Sequence, residues 1–125
     1  MKLKPGHKFF LGLLLILGVA SQSLTIVRSG LLYPFGMGFW GPNAHDGLWH
    51  IALVNQLAKG SLAFPTFAGS QISNYHIGFD LLTAALYRLT GLSPILLYFQ
   101  ILPVIFSLSY GILVYVLANK IFKNQ

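Results

Sequence analysis

Cysteine is absent and acidic residues are nearly so: among 125 residues there are two aspartates, Asp46 and Asp80, and no glutamate. Without cysteine the chain can hold neither a disulfide framework nor a thiolate metal site. Charged residues make up 8% against 55% hydrophobic, and mean hydropathy is +0.70, so the charged coat of a water-soluble surface is missing. That composition is a membrane protein's. Both carboxylates are then functional candidates, because an anion near hydrocarbon is costly unless something needs it. A formal net charge of +6 raises nucleic acid as a partner, but the cations are not gathered for it: Lys2, Lys4 and Lys8 precede the first apolar run, and Lys120 and Lys123 follow the last. There is no basic stripe with interleaved aromatics, and a nucleic-acid role is set aside. Cations beside apolar runs instead set topology and touch anionic headgroups.

Long apolar runs are what the chain does have. The first, about Phe9 to Val27, provides roughly the 20 residues needed to cross ~30 Å of hydrocarbon as a helix. The lysines before it place the N-terminus in the cytoplasm. A cleaved signal peptide is the rival, with Gly18-Val19-Ala20 as a small-residue cleavage site. The apolar character carries on through Leu24, Ile26 and Val27, which favours an uncleaved anchor. From Arg28 to Asn43, Gly30, Pro34, Gly36, Gly38, Gly41 and Pro42 break any regular element. With Tyr33, Phe35, Phe39 and Trp40 suited to an interfacial aromatic belt, this reads as a loop at the outer headgroup layer.

A short helix is predicted from about Gly47 to Lys59, with Asn43 or Asp46 as N-cap and Gly60 as stop. It is too short to span. After a loop containing Pro65 and Gly69, the segment Tyr75 to Leu92 is helical in pattern, with Asn74 as cap and Gly91 as stop, but His76, Asp80 and Arg88 interrupt it. The last run, about Pro94 to Leu117, is a spanning helix with a kink expected at Pro103. If Tyr75–Leu92 crossed the membrane, Lys120 and Lys123 would end outside; if it stays external, they end in the cytoplasm, as the positive-inside preference favours. The expected fold is an all-α membrane protein: two spanning helices flanking an external insertion of short interfacial helices. Residues 1–28 form the cytoplasmic N-terminus and first span, 29–93 the external part, and 94–125 the second span and cytoplasmic tail.

Each aspartate has a histidine four positions away, Asp46 with His50 and His76 with Asp80. On a helix that spacing is one turn on one face, so each pair could hydrogen-bond or share a ligand. Two His and two Asp could together bind a divalent ion if the helices meet, making Asp46, His50, His76 and Asp80 the candidate metal ligands. The bland readings are an N-cap for Asp46, satisfied interfacial histidines for His50 and His76, and headgroup anchoring for Trp40, Trp49 and the tyrosines rather than sugar stacking. Asp80, inside its predicted helix, has no capping role there.

The stretch Asp46-Gly47-Leu48-Trp49-His50-Ile51-Ala52-Leu53-Val54-Asn55-Gln56-Leu57-Ala58-Lys59-Gly60 resembles the first external loop of GT-C class membrane glycosyltransferases. That superfamily includes protein mannosyltransferases and lipid A aminoarabinose transferases; its loop has an acidic residue, an aromatic, often a His, and a helix ending near Gly. Tyr75 to Ser93, with His76 at its start, Arg88 late and Gly91-Leu92-Ser93 at its end, is similar to the next helix of the class, and Pro94 to Phe122 to the span after it. Gly47 stands where many relatives have Glu, and Ile77-Gly78 where they have Pro-Pro. The resemblance implies sugar transfer from a polyprenyl-phosphate donor on the outer face of a bacterial-type cytoplasmic membrane. Asp46 would be the base or acceptor-positioning residue, with His50, His76 and Asp80 as support or metal ligands. It also implies that further spans of such an enzyme build the donor pocket, so that this is an amino-terminal part, inactive alone. The rival is a small non-catalytic membrane protein or assembly subunit, in which Asp46 would only cap a helix.

Overall fold

The computed structural model describes residues 5–122, so Lys2, Lys4 and Lys123, on which the expected topology partly rests, lie outside the described residues. The first helix, α1, runs Pro5–Val27 and from Leu11 onward is built of leucine, isoleucine, valine and small residues, with Gln22 the exception. The last, α4, is the continuous helix Pro94–Phe122. Both are long and apolar enough to cross a membrane, and only 6% of the most apolar stretch of each is buried, unlike the core helix of a soluble protein. The chain is mostly helical, and its two ends carry this long pair.

The expected loop after α1 contains a small antiparallel hairpin. Strands β1 (Leu31–Tyr33) and β2 (Gly36–Gly38) pair Leu31 with Gly38 and Tyr33 with Gly36. Pro34 and Phe35 form the turn, Pro34 with its φ fixed by its ring, and Gly36 opens β2 at a φ of 116°. Tyr33 stacks on Phe35 at 5.2 Å, with Trp40 edge-on to Tyr33 at 5.9 Å and the Arg28 guanidinium 5.1 Å from the Trp40 ring centre.

A 3-10 turn, Gly41–Ala44, leads into α2, Asp46–Ala58. The expected cap is corrected here. His45 occupies the N-cap position, no side chain caps the helix, and Asp46 is the first helical residue. Asn43 is used elsewhere, its amide donating to the Ser29 hydroxyl at 3.0 Å. At the other end Gly60 stops the helix as expected, with φ 77° and its N–H on the Leu57 carbonyl at 2.9 Å.

The next helix, α3, is Gly78–Thr90, three residues shorter at its start than the pattern of apolar residues predicts. Asn74 adopts a left-handed φ of 56°, which breaks the helix before it begins, so Tyr75 and His76 lie in the approach. Gly91 ends α3 with its N–H on the Tyr87 carbonyl at 2.9 Å. Ser93 then caps α4, its hydroxyl accepting from the Leu96 N–H at 3.1 Å ahead of Pro94 at the first turn.

In α4 the irregularity falls before Pro103. Residues Leu97–Ile101 form a π turn in which the Leu102 N–H reaches the Leu97 carbonyl. Pro103 has no N–H for the carbonyl of Phe99 four residues back, and the wider turn is where the helix absorbs that loss. The π turn also carries the residues that join the two halves of the fold. Phe99 is fully buried, and the Gln100 amide donates to the carbonyls of Val27 and Ser29, tying α4 to the end of α1.

The core sits between α2 and α3: Leu53, Val54, Leu57 and Ala84 are buried, with Trp49, Ile72, Ile77 and Tyr98 packed around them. His50 meets Asp80 near the start of both helices, and Asn55, Ala58 and Lys59 share a pocket with Tyr87 and Arg88 near their ends. The helices therefore run side by side in one direction, and residues 60–77 return the chain.

Candidate functional site

The only ion pair among the described residues joins α2 to α3: His50 Nδ1 lies 2.9 Å from Asp80 Oδ1. This replaces the two expected pairs within single helices. His76 precedes the first turn of α3, so it does not share a helix face with Asp80. His50, although one turn after Asp46, is taken up by the aspartate thirty positions away. Asp80 is 1% exposed and the His50 side chain 17%. A buried carboxylate needs a partner, and the imidazole is it.

Burial pushes the Asp80 carboxyl above the ordinary aspartate range. The His50 charge and hydrogen bond, the residue's own backbone N–H at the head of α3 and the charge of His76 offset part of that rise. With Asp80 ionised, His50 Nδ1–H donates to it and Nε2 keeps a lone pair. A carboxylate that holds one ring nitrogen protonated leaves the other free to take a proton or bind a metal.

Aromatic rings enclose the imidazole. Tyr98, from the π turn of α4, stacks on His50 at 5.8 Å between centres and 24° between planes. Trp49 lies edge-on at 5.1 Å, and Tyr75 at 6.2 Å. Phe79 closes on Tyr98 at 4.9 Å, while His76 stacks on Tyr75 at 4.3 Å and so stands one ring away from His50. Tyr98 and Phe79 were not among the site candidates in the sequence. The tyrosines and Trp49 read there as headgroup anchors, and no spacing links position 98 to position 50.

Asp46 is exposed at the head of α2, and its carboxylate is in no ion pair among the described residues. The next residue is tightly enclosed. Gly47 is buried, and a Cβ there would lie 2.8 Å from Phe99 Cζ and 3.0 Å from Cε1. No side chain fits between the start of α2 and that ring. This explains glycine at a position where the resemblance leads one to expect glutamate. Of the four candidate metal ligands, the fold brings His50 and Asp80 into contact, while His76 and Asp46 form no ion pair with either among the described residues. Among the described residues no three His, Asp or Glu side chains are grouped so as to hold a metal ion.

Comparison of the chain with protein-family models, with curated proteins and with solved structures gives no match.

Proposed function

We propose that this chain is the amino-terminal part of an integral-membrane glycosyltransferase that takes a sugar from a polyprenyl-phosphate donor at the outer face of a bacterial-type cytoplasmic membrane. In this reading α1 and α4 cross the bilayer, both termini are cytoplasmic, and residues 29–93 lie outside. The packing of α1 along α4, tied by Gln100 to the carbonyls of Val27 and Ser29, supports an anchor that is retained rather than cleaved.

The observation that carries the proposal is the division of labour between the two carboxylates. Asp80 is buried and engaged by His50, whereas Asp46 is exposed and open at the head of α2, beside the buried Gly47 that faces Phe99. A sugar hydroxyl is a weak nucleophile. A positioned carboxylate beside it accepts its proton as the oxygen bonds to the anomeric carbon and the lipid phosphate departs with the electron pair of the broken bond. Asp46 is assigned that role. Asp80 and His50 position α2 against α3, and His76, stacked on Tyr75 on the approach to α3, is a further polar group beside them.

Two experiments test this. In the complete protein, Asp46→Asn should lower sugar transfer by about a hundredfold or more. Loss of its interaction with the helix N-terminus should cost only about 0.3–1 kcal/mol of stability. Retained transfer with normal folding removes Asp46 from the chemistry and ends the assignment. Topology is tested separately, helped by the absence of native cysteine. Ser70→Cys should react with an impermeant reagent in intact cells and Asn124→Cys should not; the reverse pattern overturns the outside placement of 29–93.

A further inference from the structure

The ends of α2 and α3 opposite the His50–Asp80 pair form a second polar site. A pocket of about 390 Å³ there is lined by Asn55, Ala58 and Lys59 from α2 and by Tyr87 and Arg88 from α3. Lys59 is the C-cap residue of α2, and Arg88 lies in the last turn of α3. Neither is in an ion pair among the described residues, where the one ion pair is His50–Asp80. The chain has just one other acidic side chain, Asp46, at the opposite end of α2. Thirteen positions of helix separate it from Lys59, about 20 Å at 1.5 Å per residue, well beyond the ~8–10 Å over which salt leaves exposed charges interacting. No carboxylate of the described chain can therefore neutralise this pocket.

The helix ends do so only in part. Because α2 and α3 run in the same direction, both C-terminal ends meet here, each equivalent to roughly half a negative charge. Set against two cations, they leave about one positive charge in excess. The Tyr87 hydroxyl adds a neutral hydrogen-bond donor beside the cations, as does the second N–H of the Asn55 amide, whose nitrogen also donates to the Ile51 carbonyl at 2.9 Å. One excess positive charge, a guanidinium fork and further donors suit a singly charged phosphate group.

The surroundings indicate where that group is carried. Leu89, next to Arg88, is 83% exposed, and Leu92 and Leu96 are exposed just beyond it. Arg88 is six residues from Pro94, where α4 begins, so the pocket lies no more than about 20 Å of chain from the outer end of that helix. Exposed leucines beside cations at the end of a long apolar helix match the boundary between acyl chains and headgroups. We infer that the Lys59–Arg88 pocket binds the phosphate of a lipid headgroup, with Leu89, Leu92 and Leu96 against the acyl chains. This inference does not depend on sugar transfer or on Asp46.

The test uses the full chain in nonionic detergent, with bound lipid counted by native mass spectrometry during titration with phosphatidylglycerol, phosphatidylcholine or inorganic phosphate. The protein should retain one phosphatidylglycerol in preference to phosphatidylcholine. Lys59→Gln and Arg88→Gln should each weaken that binding about tenfold, and the double variant about a hundredfold. Lys8→Gln, on α1, and Asp46→Asn should leave it unchanged, which separates this site from the glycosyltransferase reading. Both pocket cations are exposed, and Arg88→Lys, which keeps the charge but loses the fork, should recover part of the binding lost in Arg88→Gln. Equal retention of phosphatidylglycerol by the double variant overturns the proposal. Displacement of the lipid by millimolar inorganic phosphate, lost in the double variant, would make the ligand soluble phosphate and overturn its lipid source.

Discussion

Between α2 and α3 the buried side chains are Leu53, Val54, Leu57 and Ala84, as in the core of a water-soluble domain. Between α1 and α4 the contrast is sharp: Ser23 and Ser107 are buried and face each other at 3.3 Å between hydroxyls, while Leu113, Val116, Leu17 and Ile16 are exposed. Large apolar residues fill the contact between the short helices, although Leu48, Leu81 and Leu89 on their other faces are exposed, whereas hydroxyls meet between the long ones. The difference follows from the solvent each pair meets. In water, burial of apolar surface drives packing and favours large hydrophobes inside. In lipid the tails are as apolar as leucine, so helices associate through small residues and hydrogen bonds, and the large side chains face out. One short chain thus uses both rules, which supports a bilayer around the long pair and water around part of the short one.

Deleting the same side chain in each pair should give the largest contrast. Leu53→Ala leaves a cavity and should cost about 2–5 kcal/mol. Leu113→Ala, at a position 65% exposed, should cost under about 0.5 kcal/mol. Unfolding of both variants in detergent provides the comparison, and equal losses would erase the distinction between the two pairs.

The polar centre of the short pair comes next. His50→Ala strands the Asp80 carboxyl without its partner and should cost about 1–3 kcal/mol. The pH dependence has a definite sign. The folded carboxyl titrates above its ordinary value of 3.8, so its contribution to stability is full below that value and is lost as pH rises through the raised one. Wild type should therefore lose stability relative to Asp80→Asn as pH climbs from about 4 through the mildly acidic range. Parallel stability curves for the two proteins across that range would show that burial does not hold the carboxyl where the fold implies.

Glycine substitutions sharpen the contrast further. Gly47→Ala drives a methyl into the buried Phe99 ring, which has little room to yield, and should cost about 1–2 kcal/mol. Gly111→Ala meets the end of the Leu15 side chain, which can rotate away toward the exposed face, and alanine favours helix. Its net effect should stay within about 0.5 kcal/mol. A Gly111→Ala cost as large as that at Gly47 would mean that the long helices pack as tightly as the short ones. Ser107→Ala, which removes the hydroxyl contact to Ser23, should have a similarly small effect, about 0.6 kcal/mol.

Much of this molecule is local and was legible in the residues themselves. The length and apolar run of α1 and α4, the stops at Gly60 and Gly91, and the shortness of α2 and α3 follow from hydropathy, glycine's access to positive φ, and helix rise per residue. The rarity of carboxylates was enough to single out Asp46 and Asp80. Tertiary structure alone decided how they are used. A four-residue spacing shows only what one helix can bring together, and it suggested Asp46 with His50 and His76 with Asp80. The left-handed turn at Asn74 took His76 out of the helix, and the parallel packing of α2 on α3 brought Asp80 to His50 instead. Likewise the Tyr98 ring reaches His50 only because the π turn before Pro103 faces α2, and Gly47 is required only because Phe99 lies against it. Spacing along the chain encodes neighbours within an element. Contacts between elements depend on how apolar faces find one another, and no single stretch of sequence carries that.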